Sequence, residues 1–206
     1  MSFPEKPHSS IAAFYEAYTG QVTQALASVP KSALAAAEIV LSRALEADAH
    51  VYACGNGGSA AISNHLVCDH AKGIQTDTAL RPRVHSLSST MEMLTAIAND
   101  LDYAEVFAYQ LKTFGRPGDV LITISSSGDS ENVVRAVQWA KDNGMATIAL
   151  TGFTGGRTAK LADVNLHVSA DNYGIIEDVH QSLMHVLAQF IRMNRMPRDL
   201  VGARKF

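Results

Sequence analysis

The run Val51-Tyr52-Ala53-Cys54 leads directly into Gly55-Asn56-Gly57-Gly58-Ser59, and Val120-Leu121-Ile122-Thr123-Ile124 leads into Ser125-Ser126-Ser127-Gly128-Asp129-Ser130. Each apolar run ends in a loop of small residues, and each loop opens a helix-forming segment. The first segment reaches Lys72-Gly73; the second reaches Lys141 and is stopped by Asn143-Gly144. A strand that turns through small residues into a helix, repeated along the chain, predicts a parallel sheet covered on both faces. Further β-like runs lie at 83–87, 146–150 and 164–168. Helical periodicity is expected at 11–27, 31–47, 91–98, 103–114 and 175–194. The fold class is therefore α/β: a three-layer sandwich with a five-stranded parallel sheet plus amino-terminal helices.

Length and composition agree. A chain of 206 residues, 47% hydrophobic and 18% charged, suits one globular domain with an ordinary core. The reading is a single domain with a helical extension at about 9–47 and a loose, polar and basic tail at about 197–206. Ala33, Ala36, Ala37, Val40, Leu41 and Ala44 recur at helical spacing, a face suited either to a subunit interface or to an intrachain core. The formal net charge of −3 gives no reason to expect a nucleic-acid or membrane-surface partner. No run approaches the roughly 20 apolar residues of a membrane span, and the first ten residues lack the pattern of a signal peptide. Cys54 and Cys68 form neither a disulfide framework nor a CxxC site, which makes a reducing, cytoplasmic setting the expectation.

In an open parallel sheet, ligands bind beyond the carboxyl ends of the strands. Both small-residue loops fall there. Gly55, Gly57 and Gly58 permit close backbone approach, and the helix that follows offers unpaired amides to an anion. Ser59 adds a hydroxyl, and Ser125, Ser126, Ser127 and Ser130 add four more around Gly128. Hydroxyl and amide donors without a lysine suit a single phosphate monoester. Either loop alone could be only a tight turn, with Ser127 or Asp129 an N-cap. Neither matches GxxxxGK[ST], and Ala60 stands where GxGxxG needs its third glycine, so nucleotide binding is disfavoured.

His65 and Asp69 are four residues apart, on one helix face. Glu177, Gln181 and His185 repeat that spacing near the carboxyl end. Two helices that each bring a carboxylate and an imidazole suit general acid–base work or a divalent ion such as zinc with an open position. The competing reading is a surface His–Asp pair and a structural histidine. Asn99-Asp100 either faces the ligand or simply ends its helix.

Gly55-Asn-Gly-Gly-Ser-Ala-Ala61, Ala98-Asn99-Asp100, Gly118-Asp119-Val120-Leu121, Ser125-Ser-Ser-Gly-Asp-Ser130 and Leu150-Thr151-Gly152 resemble the sugar isomerase (SIS) domain. More narrowly the chain resembles the phosphoheptose isomerases, from about residue 11 to 195. The resemblance implies the flavodoxin-like SIS fold and an aldose–ketose isomerase converting sedoheptulose 7-phosphate to D-glycero-D-manno-heptose 7-phosphate. It implies a homotetramer whose amino-terminal helices pack together and whose sites lie between subunits. By position, Gly57, Gly58, Ser59, Ser125, Ser126, Ser127 and Ser130 would hold the phosphate, and Asn56 and Asp100 would contact sugar hydroxyls. His65, Asp69, Glu177 and His185 would form the metal set. Asp69, Glu177 and His185 would carry the catalysis.

The chain departs from the family at Asp69, where glutamate is usual, at Glu177, where glutamine is usual, and at Gly174-Ile175, where a polar Asp-Arg pair is usual. These departures keep two other readings open: a non-catalytic phosphosugar-binding or assembly module, and an isomerase of another phosphosugar. Retention of both His65 and His185 favours an enzyme.

Overall fold

The structure, a computed structural model, describes residues 3–206. The five aliphatic runs form β1 (His50–Gly55), β2 (Arg83–Ser86), β3 (Val120–Ser125), β4 (Ala146–Thr151) and β5 (Val164–His167). They pair in one sheet of order β2-β1-β3-β4-β5, parallel throughout. Because side chains alternate across a strand, β1 sends Val51 and Ala53 to one face and Tyr52 and Cys54 to the other. The first face is covered by α1 (Ile11–Ser28), α2 (Lys31–Glu46), α3 (Gly58–Cys68) and α8 (Tyr173–Arg195), whose Leu41, Leu66, Val179 and Leu183 are buried with Ile122, Leu150 and Leu166. The opposite face packs on α5 (Ala108–Phe114) and α6 (Glu131–Asp142) through Phe107, Leu111, Val133 and Val137.

Ser10 caps α1, its Oγ accepting from Ala13 N at 3.1 Å. In α2 the small-residue face turns inward: Ala37, Leu41 and Ala44 are all buried within the chain. No single helix among the described residues is long and apolar enough to cross a membrane.

Four local expectations are corrected. The helix expected at 91–98 runs on as α4 (Met91–Asp100). The segment 103–114 splits, because the Asp102 carboxylate accepts from Ala104 N at 2.7 Å and caps a separate 3₁₀ turn, Tyr103–Glu105, before α5. The helix after the first loop widens into a π-helical turn at Asp69–Ile74, and a short α7 (Thr158–Leu161) follows the glycines at 152–156. Arg192, 7% exposed, donates to Lys205 O at 3.2 Å and lies 4.7 Å from the centre of the Phe206 ring, while Arg204 pairs with Asp77 at 3.3 Å.

Two buried histidines make this fold acid-sensitive. Burial lowers His70 and His180 from the ordinary 6.5 to about 4. Between those limits the unfolded chain binds protons that the folded chain does not, so stability is lost as pH falls from about 6.5 toward 4. Each histidine contributes a slope of up to about 1.4 kcal/mol per pH unit. Urea unfolding at pH 7, 6 and 5 should show this decline, and His70→Leu should remove about half the slope. An unchanged slope would mean that His70 is not the titrating group.

Candidate active site

The strand order reverses between β1 and β3, which opens a crevice at their carboxyl ends. Both small-residue loops issue there, with Gly55 in register with Ile124. A Cβ on Gly55 would lie 2.6 Å from Ile124 O and 2.7 Å from Ser59 Cβ, so only glycine lets the two loops sit this close. Gly57 and Gly58 are exposed at the start of α3, where Ser59 N donates to Asn56 O and Ala60 N to Gly57 O, both at 3.0 Å. Ser59 is buried beneath them.

In the second loop, Ser125 Oγ accepts from Gly128 N at 3.2 Å and Ser127 Oγ from Asp129 N at 3.3 Å. Ser127 and Ser130 are partly exposed, whereas Ser125 and Ser126 are buried, Ser126 Oγ without a hydrogen-bond partner. Ser127 and Ser130 are the partly exposed hydroxyls of this cradle; Ser125 Oγ holds the turn through Gly128 N, and Ser126 Oγ is left without a partner inside it. Arg157 braces the loop from outside. Its backbone N and Nε donate to Asp129 Oδ1 at 3.0 and 3.1 Å, and Nη2 donates to Asp129 O at 2.6 Å.

A reciprocal amide pair joins the two loops. Asn56 Nδ2 donates to Asn132 Oδ1 at 2.9 Å, and Asn56 Oδ1 accepts from Asn132 Nδ2 at 3.0 Å and from the Tyr103 hydroxyl at 2.8 Å. Asn56, Ser130, Asn132, Tyr103 and Arg135 line a groove of about 520 Å³. Sequence reasoning missed Tyr103, Asn132 and Arg157. Asn132 sits one residue into the helix after the serine loop and was the one with a positional signal.

Farther along α3, Asp69 lies between two imidazoles. Oδ1 is 3.2 Å from His65 Nε2 and Oδ2 is 3.1 Å from His185 Nδ1. The rings are nearly perpendicular, with centroids 5.1 Å apart. Spacing of four on α3 brings His65 to Asp69, and parallel packing of α8 brings His185 to both. Gln181 fixes the outer edge of His185, its Nε2 lying 3.1 Å from the ring Nε2. One donor atom from each of His65, Asp69 and His185 lies within 4.8 Å of the others. Two imidazoles and a carboxylate with an open side suit a divalent ion, so the donor set passes that test.

Glu177, expected as a further donor, stands apart from these three. A Cβ on Gly58 would meet its carboxylate at 2.3–2.7 Å, so the charge lies over the start of α3, between the loops and the imidazoles. Burial first, and then the Asp178 carboxylate, raise its pKa above the usual carboxylate range. A proton held more tightly in the folded chain means that Glu177 costs stability as pH rises above about 4.5. Glu177→Gln should therefore gain in melting temperature over the unsubstituted chain as pH rises from about 4.5. A melting difference independent of pH would contradict this. Asp100 is exposed at the end of α4, its Oδ1 accepting from Asn99 Nδ2 at 2.8 Å, and is not among the residues lining the Asn56 groove. Ile175 is buried in the first turn of α8, so apolar packing occupies that part of the departing pair.

The fold and site are those of an α/β protein with a switch-point crevice, two small-residue loops beside it and an imidazole–carboxylate cluster at the far end of α3. Residues 14–152 match the SIS domain family model. The phosphoheptose isomerase of Azoarcus sp. is 38% identical over 77% of this chain and 81% of its own length. That of Helicobacter pylori is 40% identical over 74% of this chain and 79% of its own. The solved phosphoheptose isomerase GmhA of Neisseria gonorrhoeae superposes with a TM-score of 0.79 at 34% identity, covering 88% of this chain and 96% of its own. The chain belongs to the SIS domain family, and within it the chain is an isomerase.

Proposed function

We propose that this chain isomerises a seven-carbon ketose phosphate, sedoheptulose 7-phosphate, to D-glycero-D-manno-heptose 7-phosphate through an enediol. The observation that carries the reading is the Asp69 carboxylate held between His65 and His185 on the helix whose other end opens the anion loop. The phosphate is taken by the exposed turn at Gly57 and Gly58 with Ser59, Ser125, Ser126, Ser127 and Ser130. Glu177, Gln181 and His185 then run roughly 12 Å along α8, alongside an extended sugar. Asn56 and Asp100 are the hydroxyl contacts of this reading.

Asp69 takes the proton from C1, and its bonding pair becomes the C1–C2 double bond as His185 protonates the oxygen at C2. The C1 hydroxyl then returns a proton to His185 as the aldehyde forms, and Asp69 delivers its proton to C2. Glu177 stands near enough to the sugar path to share the carboxylate role. His65, Asp69 and His185 would hold a divalent ion such as zinc. When bound, such an ion supplies Lewis-acid polarisation of the sugar oxygens. A cytoplasmic homotetramer completes the reading, supported by Ile11 and Tyr15 standing 82% and 66% exposed on α1.

Incubation with sedoheptulose 7-phosphate should yield the aldose, with activity reduced after dialysis against chelator and restored by zinc. No aldose with or without zinc, from protein that still binds phosphate, would overturn the assignment.

A further inference from the structure

The serine loop carries a charge at odds with an anion site. Asp129 stands between Gly128 and Ser130, exposed, and an ordinary aspartate is ionised at neutral pH. It is one residue from Ser130 and two from Ser127, at most about 8 Å along the backbone. That is no farther than the screening length of physiological salt, about 8 Å. An uncompensated carboxylate there would repel a phosphate dianion held by the same loop.

The segment after β4 meets this loop residue by residue. Gly152 N donates to Ser126 O at 2.9 Å, Thr158 N to Gly128 O at 3.0 Å and Arg157 N to Asp129 Oδ1 at 3.0 Å. A Cβ on Gly156 would lie 2.4 Å from Ser127 O. On the 152–158 side these contacts are all made by backbone, so they hold the loop whatever side chain stands at 157. The Arg157 side chain adds a charge. Its Nε donates to Asp129 Oδ1 at 3.1 Å and its Nη1 to Glu131 Oε2 at 2.8 Å. Among the described residues Arg157 is the one ion-pair partner of Asp129. Glu131, by contrast, also pairs with Arg135, which continues the row to Glu105 and Lys112. Asp129 therefore ends a chain of alternating acids and bases, and loss of Arg157 leaves it without a partner.

We propose that Arg157 is a positioning residue of the phosphate site, acting through Asp129: its guanidinium cancels the carboxylate that the serine loop carries and keeps the loop receptive to a phosphate dianion. This rests on the reading that places the phosphate at the serine loop.

Calorimetric titration of inorganic phosphate at low ionic strength tests the charge role. Arg157→Ala keeps the residue 157 amide on Asp129 and should weaken phosphate binding about fivefold to tenfold. KM for sedoheptulose 7-phosphate should rise by the same factor with kcat little changed, because Asp69 and His185 lie at the far end of α3. Asparagine at 129 keeps the Oδ1 acceptor and removes the charge. The Asp129→Asn, Arg157→Ala double variant should therefore bind phosphate within about twofold of the unsubstituted chain. Both side chains are exposed, so melting temperatures should stay close throughout. Unchanged phosphate affinity in Arg157→Ala overturns the proposal. So does a loss that Asp129→Asn fails to restore, which would make Arg157 a mechanical clamp through its Nη2 bond to Asp129 O. An unsubstituted chain that binds no phosphate would instead remove the phosphate from this loop, and the compensating role with it.

Discussion

Asp69→Asn should lose about 10²–10⁴-fold in kcat/KM, the range a positioned general base contributes, while phosphate affinity stays within twofold of the unsubstituted chain. Both halves of the expectation follow from position. Asp69 contacts His65 and His185 at 3.2 and 3.1 Å, at the far end of α3 from Gly57 and Gly58. Asparagine keeps the shape and one oxygen but cannot accept a proton from carbon. The imidazoles are about half exposed, so losing the charge between them costs little stability. Steady-state kinetics with calorimetric titration of inorganic phosphate separates the two halves. Undiminished turnover would remove Asp69 from the chemistry, and loss of phosphate binding with it would mean that the two ends of α3 are not independent.

Gly128→Ala should be the most damaging single methyl group in the anion site. Gly128 has φ +66, and its Cβ would lie 2.0 Å from Gly155 O and 2.8 Å from Gly155 C. The clash is with backbone. Neither side can retreat, because Thr158 N donates to Gly128 O at 3.0 Å and Gly152 N to Ser126 O at 2.9 Å. Overpacking of this kind costs about 1–3 kcal/mol and the left-handed backbone about 1 more, a large share of a typical folding free energy. Gly57→Ala is the control. It has the same sign of φ, +56, and nothing within 4 Å of the added Cβ, but its ψ of −124 lies outside the left-handed helical region, so the cost is backbone strain alone, about 1–3 kcal/mol. Urea unfolding should rank Gly128→Ala well below Gly57→Ala, with phosphate binding lost in the former. Equal destabilisation would mean that the Gly155 contact gives way.

Much of this site was legible in the sequence because its signals are local. A strand followed by 55–59 or 125–130 carries its own register, and spacing of four put His65 with Asp69 without any tertiary information. Meeting of α3 with α8 was a tertiary event that spacing only suggested, and it brought in His185 but left Glu177 over Gly58. Tyr103 and Arg157 were illegible for the same reason: each acts on a partner in a distant segment, and nothing near them in sequence distinguishes a bracing side chain from a solvated one, whereas Asn132 had a positional signal, one residue into the helix after the serine loop.

Conversion of sedoheptulose 7-phosphate in D₂O, followed by proton NMR, tests the central claim most directly. The predicted result is appearance of the aldose 7-phosphate, its C2 carrying the hydrogen that Asp69 took from C1, with deuterium there only to the extent that the Asp69 carboxyl exchanges with solvent, and this conversion is lost in Asp69→Asn. Recovery of unconverted ketose with its C1 protons intact, from folded protein supplied with zinc, would contradict it.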